Sequence, residues 1–149
     1  MIRKATMADV PAVLELVNMN AKQGLMLSKS PYDIYQRIFT FFVYEKGGQV
    51  VGCVRLQPLW KDIAEIASLA VAEDFRNQGI GRELVQVCMT EAKRAKIPRI
   101  CTLTYQCEFF KKCGFKEVPR ETLPHKFFGD CLRCPKVECC DEYAFIIDL

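Results

Sequence analysis

No stretch of this 149-residue chain approaches the roughly 20 apolar residues that a membrane-spanning helix needs. Its first residues, Met1-Ile2-Arg3-Lys4-Ala5-Thr6-Met7-Ala8-Asp9, lack the apolar core of a secretory signal. Neither sign of charge dominates: 21 Lys and Arg stand against 18 Asp and Glu, a formal net charge of +3. The basic residues are scattered, without the basic stripe and extreme pI usual in a nucleic-acid-binding protein. No internal repeat or low-complexity tract is present. These absences lead to the expectation of a cytoplasmic protein with no membrane or nucleic-acid partner. With 50% apolar and 26% charged residues the composition is globular. At this length a single domain, residues 1–149, with a normal core is expected.

Cysteine, by contrast, is abundant, with nine residues. Cys53, Cys88, Cys101 and Cys113 fall in apolar patterns and read as small buried hydrophobes. In a reducing compartment no structural disulfide is expected. Cys131, Cys134, Cys139 and Cys140 cluster near the C-terminus.

Periodicity divides the chain. Residues 2–5 read as a first strand. A helix follows with Val10, Val13, Leu14 and Val17 on one face, capped by Thr6 or Asp9; Pro11 favours Asp9. Residues 23–30 are a loop, and Ser30-Pro31-Tyr32-Asp33 starts a second helix. Residues 41–45 and 50–59 form a hairpin around Gly47-Gly48, and Lys61-Asp62 turns the chain into a strand at 65–71. An amphipathic helix runs over 79–96, with Ile80, Leu84, Val87, Cys88, Ala92 and Ala95 as its apolar stripe. A strand at 100–105, a short helix at 108–113 closed by Gly114, and strands at 115–118 and 143–148 complete the order.

Between the 65–71 strand and the long helix lies Arg76-Asn77-Gln78-Gly79-Ile80-Gly81-Arg82. A glycine-bearing strand-to-helix turn presents unpaired backbone N–H groups at a positive dipole end, suited to phosphates. No Gly-Lys-Ser/Thr follows, so it is not a P-loop, and it is not the dinucleotide fingerprint G-x-G-x-x-G. The pattern Arg/Gln-x-x-Gly-x-Gly/Ala, after an apolar strand and an Asp-Phe pair, resembles the acetyl-CoA pyrophosphate loop of the GNAT N-acetyltransferases. The element order β-α-α-β-β-β-α-β-α-β-β extends the resemblance over essentially the whole chain. It implies an α/β (α+β) fold, a central mixed, mostly antiparallel sheet flanked by helices, with splayed central strands.

The resemblance also implies roles. Acetyl-CoA would be the acetyl donor, its pyrophosphate held by Arg76, Asn77, Gln78, Gly79, Ile80, Gly81 and Arg82. Its pantetheine would lie beside Leu69, Ala70 and Val71, with the Leu69 N–H as oxyanion donor. Glu65 is the candidate base. If Leu69 and Ala67 face one side, Glu65 shares it by two-residue alternation, and a partly desolvated carboxylate there accepts the ammonium proton. Many family members carry a tyrosine acid in a Phe-Tyr-x-x-x-Gly-Phe pattern. Here Phe109-Phe110-Lys111-Lys112-Cys113-Gly114-Phe115 places Phe110 there, which has no proton to give and is assigned to the coenzyme-binding set. Tyr105 or Cys107 is left as acid, or none is needed.

Within the family the chain is similar to the acetyltransferase domain of N-acetylglutamate synthase, the first enzyme of arginine synthesis. The similarity rests on Ile2-Arg3-Lys4-Ala5-Thr6, Gln23-Gly24-Leu25-Met26-Leu27-Ser28-Lys29-Ser30, Glu65-Ile66-Ala67, Leu123-Pro124 with Lys126, Arg133-Cys134-Pro135-Lys136-Val137 and the ending Asp148-Leu149. It implies an amino-acid acceptor, L-glutamate, with Lys29 and Arg133 holding its carboxylates. Lys29 stands where arginine is common, and a lysine cannot grip a carboxylate bidentately. Two-domain synthases carry an amino-acid-kinase-like domain that confers arginine control. This chain has none, so control by that route is expected to be absent. A homodimer stays open.

Cys131, Cys134 and Cys139 or Cys140 with His125 could form a Cys₃His zinc site, but only one Cys-x-x-Cys unit is present, and no metal is assigned. Other readings remain: an acetyltransferase for another small amine or a protein amino group, a non-catalytic acyl-CoA-binding sensor, and a zinc-dependent interaction module. Glu65 argues against the sensor, and the full element order argues against the module.

Overall fold

The computed structural model describes residues 1–123 and 142–149. Its elements are β1 (Ile2–Lys4), α1 (Val10–Lys22), α2 (Pro31–Arg37), β2 (Phe41–Lys46), β3 (Gln49–Trp60), β4 (Ile63–Val71), α3 (Ile80–Arg94), β5 (Arg99–Thr104), α4 (Cys107–Lys112), β6 (Lys116–Val118) and β7 (Tyr143–Asp148). Four single-turn 3₁₀ segments lie between them, at Met7–Asp9, Ile38–Thr40, Glu73–Phe75 and Arg120–Thr122. The strands form one seven-stranded sheet in the order β1-β2-β3-β4-β5-β7-β6. Every neighbouring pair is antiparallel except β4 and β5. This is the mixed, mostly antiparallel sheet with flanking helices expected from the sequence.

Helices cover both faces. On one, α3 and α4 bury Ile80, Leu84, Val85, Cys88 and Phe110 against Val51, Val54, Leu56, Ala64, Ile66 and Ile100. On the other, α1 and α2 bury Val10, Val13, Leu16, Val17 and Ile34 against Phe41, Val43, Cys53 and Ala70. A third apolar cluster joins Ile63, Cys101, Leu123, Ala144 and Ile146. The α3 stripe follows the periodicity, except that Val85 is buried and Ala95 is exposed. Cys53, Cys88 and Cys101 are buried free thiols, and Cys113 is half-buried. Burial pushes the Cys53 and Cys88 thiols up to about 12, so both behave as small apolar side chains.

Helix starts are built in two ways. Asp9 sits at the N-cap of α1 with proline in the first turn. Its carboxylate accepts from the Thr6 N–H at 2.7 Å and from both Arg3 Nη atoms at 2.7 and 3.0 Å. The Arg3 hydrogen bonds hold this carboxyl down at about 2, against the cost of its burial. At α2 the Ser30 hydroxyl accepts from the Asp33 N–H, and Asp33 accepts from the Ser30 N–H, each at 3.2 Å. Gly79 begins α3 at φ +84 with no side-chain cap.

Candidate active site

The centre of the sheet is opened by one irregularity. Along β3 and β4, Arg55 pairs with Ala67 and Cys53 with Ala70, so Ser68 and Leu69 together oppose Val54. This is a β-bulge, and Ser68 takes the left-handed conformation, φ +53, that turns the strand. On its other side β4 pairs with β5 only at Ala64–Ile100 and Glu65–Cys101. The Thr102 hydroxyl donates to the Ile66 carbonyl at 2.9 Å and extends the contact by one step. Past it the two strands part, giving the central splay expected from the sequence. On the β5 side the main chain of Ala67 to Val71 is not paired into the ladder.

The bulge corrects one expectation. Alternation had grouped Leu69 with Glu65. In the structure Leu69 packs with the α3-side core, whereas Ala70 joins the α1-side core. Glu65 pairs with Gln57, two positions from the Arg55–Ala67 pair, so Glu65, Arg55 and Gln57 share the α1 side of the sheet. Glu65 is 2% exposed and Arg55 3%. Arg55 Nη2 stands 3.8 Å from Glu65 Oε1, and its Nη1 donates to Gln57 Oε1 at 3.3 Å. Arg55 was not singled out from the sequence, where it is one charge in an apolar strand.

The glycine turn has two different reasons for its glycines. Asn77 and Gly79 both have positive φ, +62 and +84. Asparagine tolerates that region and glycine has no penalty in it. Gly81 is helical, and a Cβ there would meet the Phe109 ring at 3.3 Å. The first bond of the helix ladder runs from the Glu83 N–H to the Gly79 carbonyl. The N–H groups of Ile80, Gly81 and Arg82 therefore stand ahead of the ladder, where an anion can take them. Buried Ile80 anchors the turn in the core, and Arg82 is exposed. Lys46, from the β2–β3 hairpin, donates to Gln78 Oε1 at 3.2 Å and adds a cation that sequence order alone does not bring here.

Two residues assigned to the coenzyme set sit differently. Phe110 is 3% exposed, edge-on to Phe109 and Phe115 and stacked with Phe145. It is a core ring, and the aromatic beside the loop is Phe109. Arg76 donates to the Val71 carbonyl at 3.2 Å and to Asn20 Oδ1 at 3.1 Å. Its guanidinium ties the loop to β4 and α1.

Beside the splay, a cleft of about 580 Å³ is lined by Asn18 and Lys22 of α1, Met26, Leu27 and Ser28 of the following loop, and Tyr105 past β5. Of the two acid candidates, Tyr105 lines this cleft, whereas Cys107 packs against the α3-side core. Lys29 is not among the cleft-lining residues, but Asn18 holds its main chain. Asn18 Oδ1 accepts from the Lys29 N–H at 2.9 Å, and Nδ2 donates to its carbonyl at 3.2 Å. Arg133, His125, Cys131, Cys134, Cys139 and Cys140 lie outside the described residues.

A model of the Acetyltransferase (GNAT) family matches residues 14–115. An uncharacterized N-acetyltransferase of Chlorobaculum tepidum is 39% identical over 145 residues, covering 97% of this chain and 94% of that one. An amino-acid acetyltransferase of Mycobacterium tuberculosis is 33% identical over 135 residues, covering 89% and 77%. Among solved structures, N-acetylglutamate synthase from Neisseria gonorrhoeae, complexed with coenzyme A and N-acetyl-glutamate, superposes with a TM-score of 0.90 at 26% identity. That match covers all of this chain but 35% of the synthase, so the chain spans about a third of that protein's length.

Proposed function

This chain belongs to the GNAT acetyltransferase family, with acetyl-CoA as acyl donor, and on that premise we propose that it acetylates the α-amino group of L-glutamate. The observation that carries the reading is the bulged, splayed β4, with a buried carboxylate on its acceptor side. The coenzyme's pyrophosphate lies on the main chain of residues 78–82, and its pantetheine beside residues 67–71. The Leu69 N–H receives the thioester oxygen as it becomes an oxyanion. Glu65 takes the ammonium proton, directly or through one water, and frees the amine lone pair. The C–N bond forms, the nitrogen of the tetrahedral intermediate gives up its second proton to water, the intermediate collapses, and the C–S bond breaks. The thiolate leaves and takes a proton from Tyr105 or from water. Lys29 and Arg133 are assigned to the acceptor's carboxylates. The product, N-acetylglutamate, is that of the first step of arginine synthesis.

The test is a CoA-release assay across the common amino acids, with wild type and Glu65→Gln. Wild type should turn over glutamate in preference to glutamine and aspartate, one lacking the charge and the other the reach. Glu65→Gln should lower kcat about 10²–10⁴-fold while acetyl-CoA affinity, read by calorimetry, holds. Near-normal turnover by this variant across the pH range removes Glu65 as the base. Equal use of the three amino acids removes glutamate as the acceptor.

A further inference from the structure

On the function proposed above, two separate stretches of chain hold the two substrates. The coenzyme lies along β4 and the turn before α3. The acceptor cleft is walled by the end of α1 and the loop after it. Transfer needs the amine nitrogen within about 3–3.5 Å of the thioester carbon, aligned for attack. Each stretch can hold its own ligand and still leave that distance wrong. One stretch has to be fixed against the other.

Two side-chain bonds cross between them. Arg76 Nη2 donates to Asn20 Oδ1 at 3.1 Å, and Gln23 Nε2 donates to Glu73 Oε2 at 3.2 Å. The Gln23 bond is exposed, whereas Asn20 is 3% exposed. Asn20 is held in place by its other groups. Its Nδ2 donates to the Leu16 carbonyl at 2.9 Å, and its own carbonyl accepts from the Gln23 and Leu25 N–H groups at 3.2 and 3.1 Å. Those last two bonds close the turn that leads into the cleft wall at Met26, Leu27 and Ser28. On the other side, Arg76 Nε donates to the carbonyl of Val71, the last residue of β4, at 3.2 Å. One planar guanidinium therefore joins the end of the coenzyme strand to the residue on which the acceptor wall is hung. Its fork fixes both oxygens in direction as well as distance. We propose that Arg76, acting through Asn20, is a positioning residue for the transfer, setting the acceptor wall at attack distance from the thioester. This inference rests on the function proposed above and deepens it.

The experiment is steady-state kinetics of Arg76→Met, Asn20→Ala and the double variant, with acetyl-CoA and the amino acid that wild type uses best. Each single change should lower kcat about 10–100-fold, with both KM values within about threefold of wild type. The double variant should be no slower than the slower single variant, because either change breaks the same bond. Arg76→Lys keeps the charge but not the fork and should be as slow as Arg76→Met. A merely structural role would lower the melting temperature and leave the kcat of the folded enzyme standing. If Asn20→Ala does not fold, the two Arg76 variants decide by the same split between kcat and KM. A wild-type kcat in folded Arg76→Met overturns this inference alone, and so do losses that multiply in the double variant. A raised acetyl-CoA KM in Arg76→Met that Arg76→Lys restores also overturns it, by making Arg76 a phosphate ligand. Wild type that acetylates no amino acid overturns the function and the inference together.

Discussion

At the 3₁₀ turn that leads into α1, side chains close off the backbone; at the start of α3, none does. Asp9 takes the Thr6 N–H and both arms of Arg3. α2 repeats the arrangement with the reciprocal Ser30–Asp33 box. α3 is the longest helix among the described residues, yet it begins on a left-handed glycine with no side-chain cap. A helix end is normally satisfied by a cap, by water or by a ligand. Capping was available to this chain and was used twice. The α3 end stays open in the place where the proposed coenzyme loop lies.

The largest effect should come from closing it. Gly79→Asp sets a carboxylate against the proposed pyrophosphate, and acetyl-CoA affinity should fall about 100-fold or more by calorimetry. Gly79→Ala is the control, because it carries only the strain of the positive φ, about 1–2 kcal/mol. An Asp variant no weaker than the Ala variant would erase the contrast between the two helix starts.

Opening the turn ahead of α1 should act on stability instead. Asp9 in the folded chain titrates at about 2, well below its unfolded value. Its stabilisation is therefore present above about pH 4 and is lost as pH falls from there through about 2. Asp9→Asn should cost about 1–2 kcal/mol at neutral pH, discounted for the partly exposed Arg3, with the deficit shrinking through about pH 2 and gone only below it. Denaturant melts across pH read this, and the acetyl-CoA KM should not move. The smallest effect belongs to Ser30→Ala, about 0.5–1 kcal/mol for a lost cap, measured by the same melts.

The elements were legible because apolar periodicity, Gly47-Gly48 and Pro31 each act locally. Boundaries moved by a residue or two where ends fray: α3 stops at Arg94 rather than 96, with Lys96 at φ +62. The bulge was not legible. Ser68 carries no glycine or proline signal, and its conformation comes from how β4 meets β3 and parts from β5. That hidden residue broke the alternation linking Leu69 to Glu65. Arg55 was missed for the same reason, since only strand register sets it beside Glu65. That Phe110 is a core ring was not legible because a motif position says nothing of where a ring points, nor was the Arg76 bond to Asn20, a partner 56 residues away.

The Asn18 clamp has a consequence in conformational entropy. The segment after α1 is tied at one end by the Leu25 N–H to the Asn20 carbonyl at 3.1 Å, and at the other by Lys29 to Asn18. Between these ties only Met26, Leu27 and Ser28 span, and all three line the cleft. Fixing a free residue costs about 1–2 kcal/mol, so a slack loop of eight residues would draw about 8–16 kcal/mol from an incoming ligand's binding energy. Most of that ordering is already complete when the chain folds. On the proposed function, the wall of the cleft would meet the acceptor nearly in its final shape, with little affinity lost to arranging it.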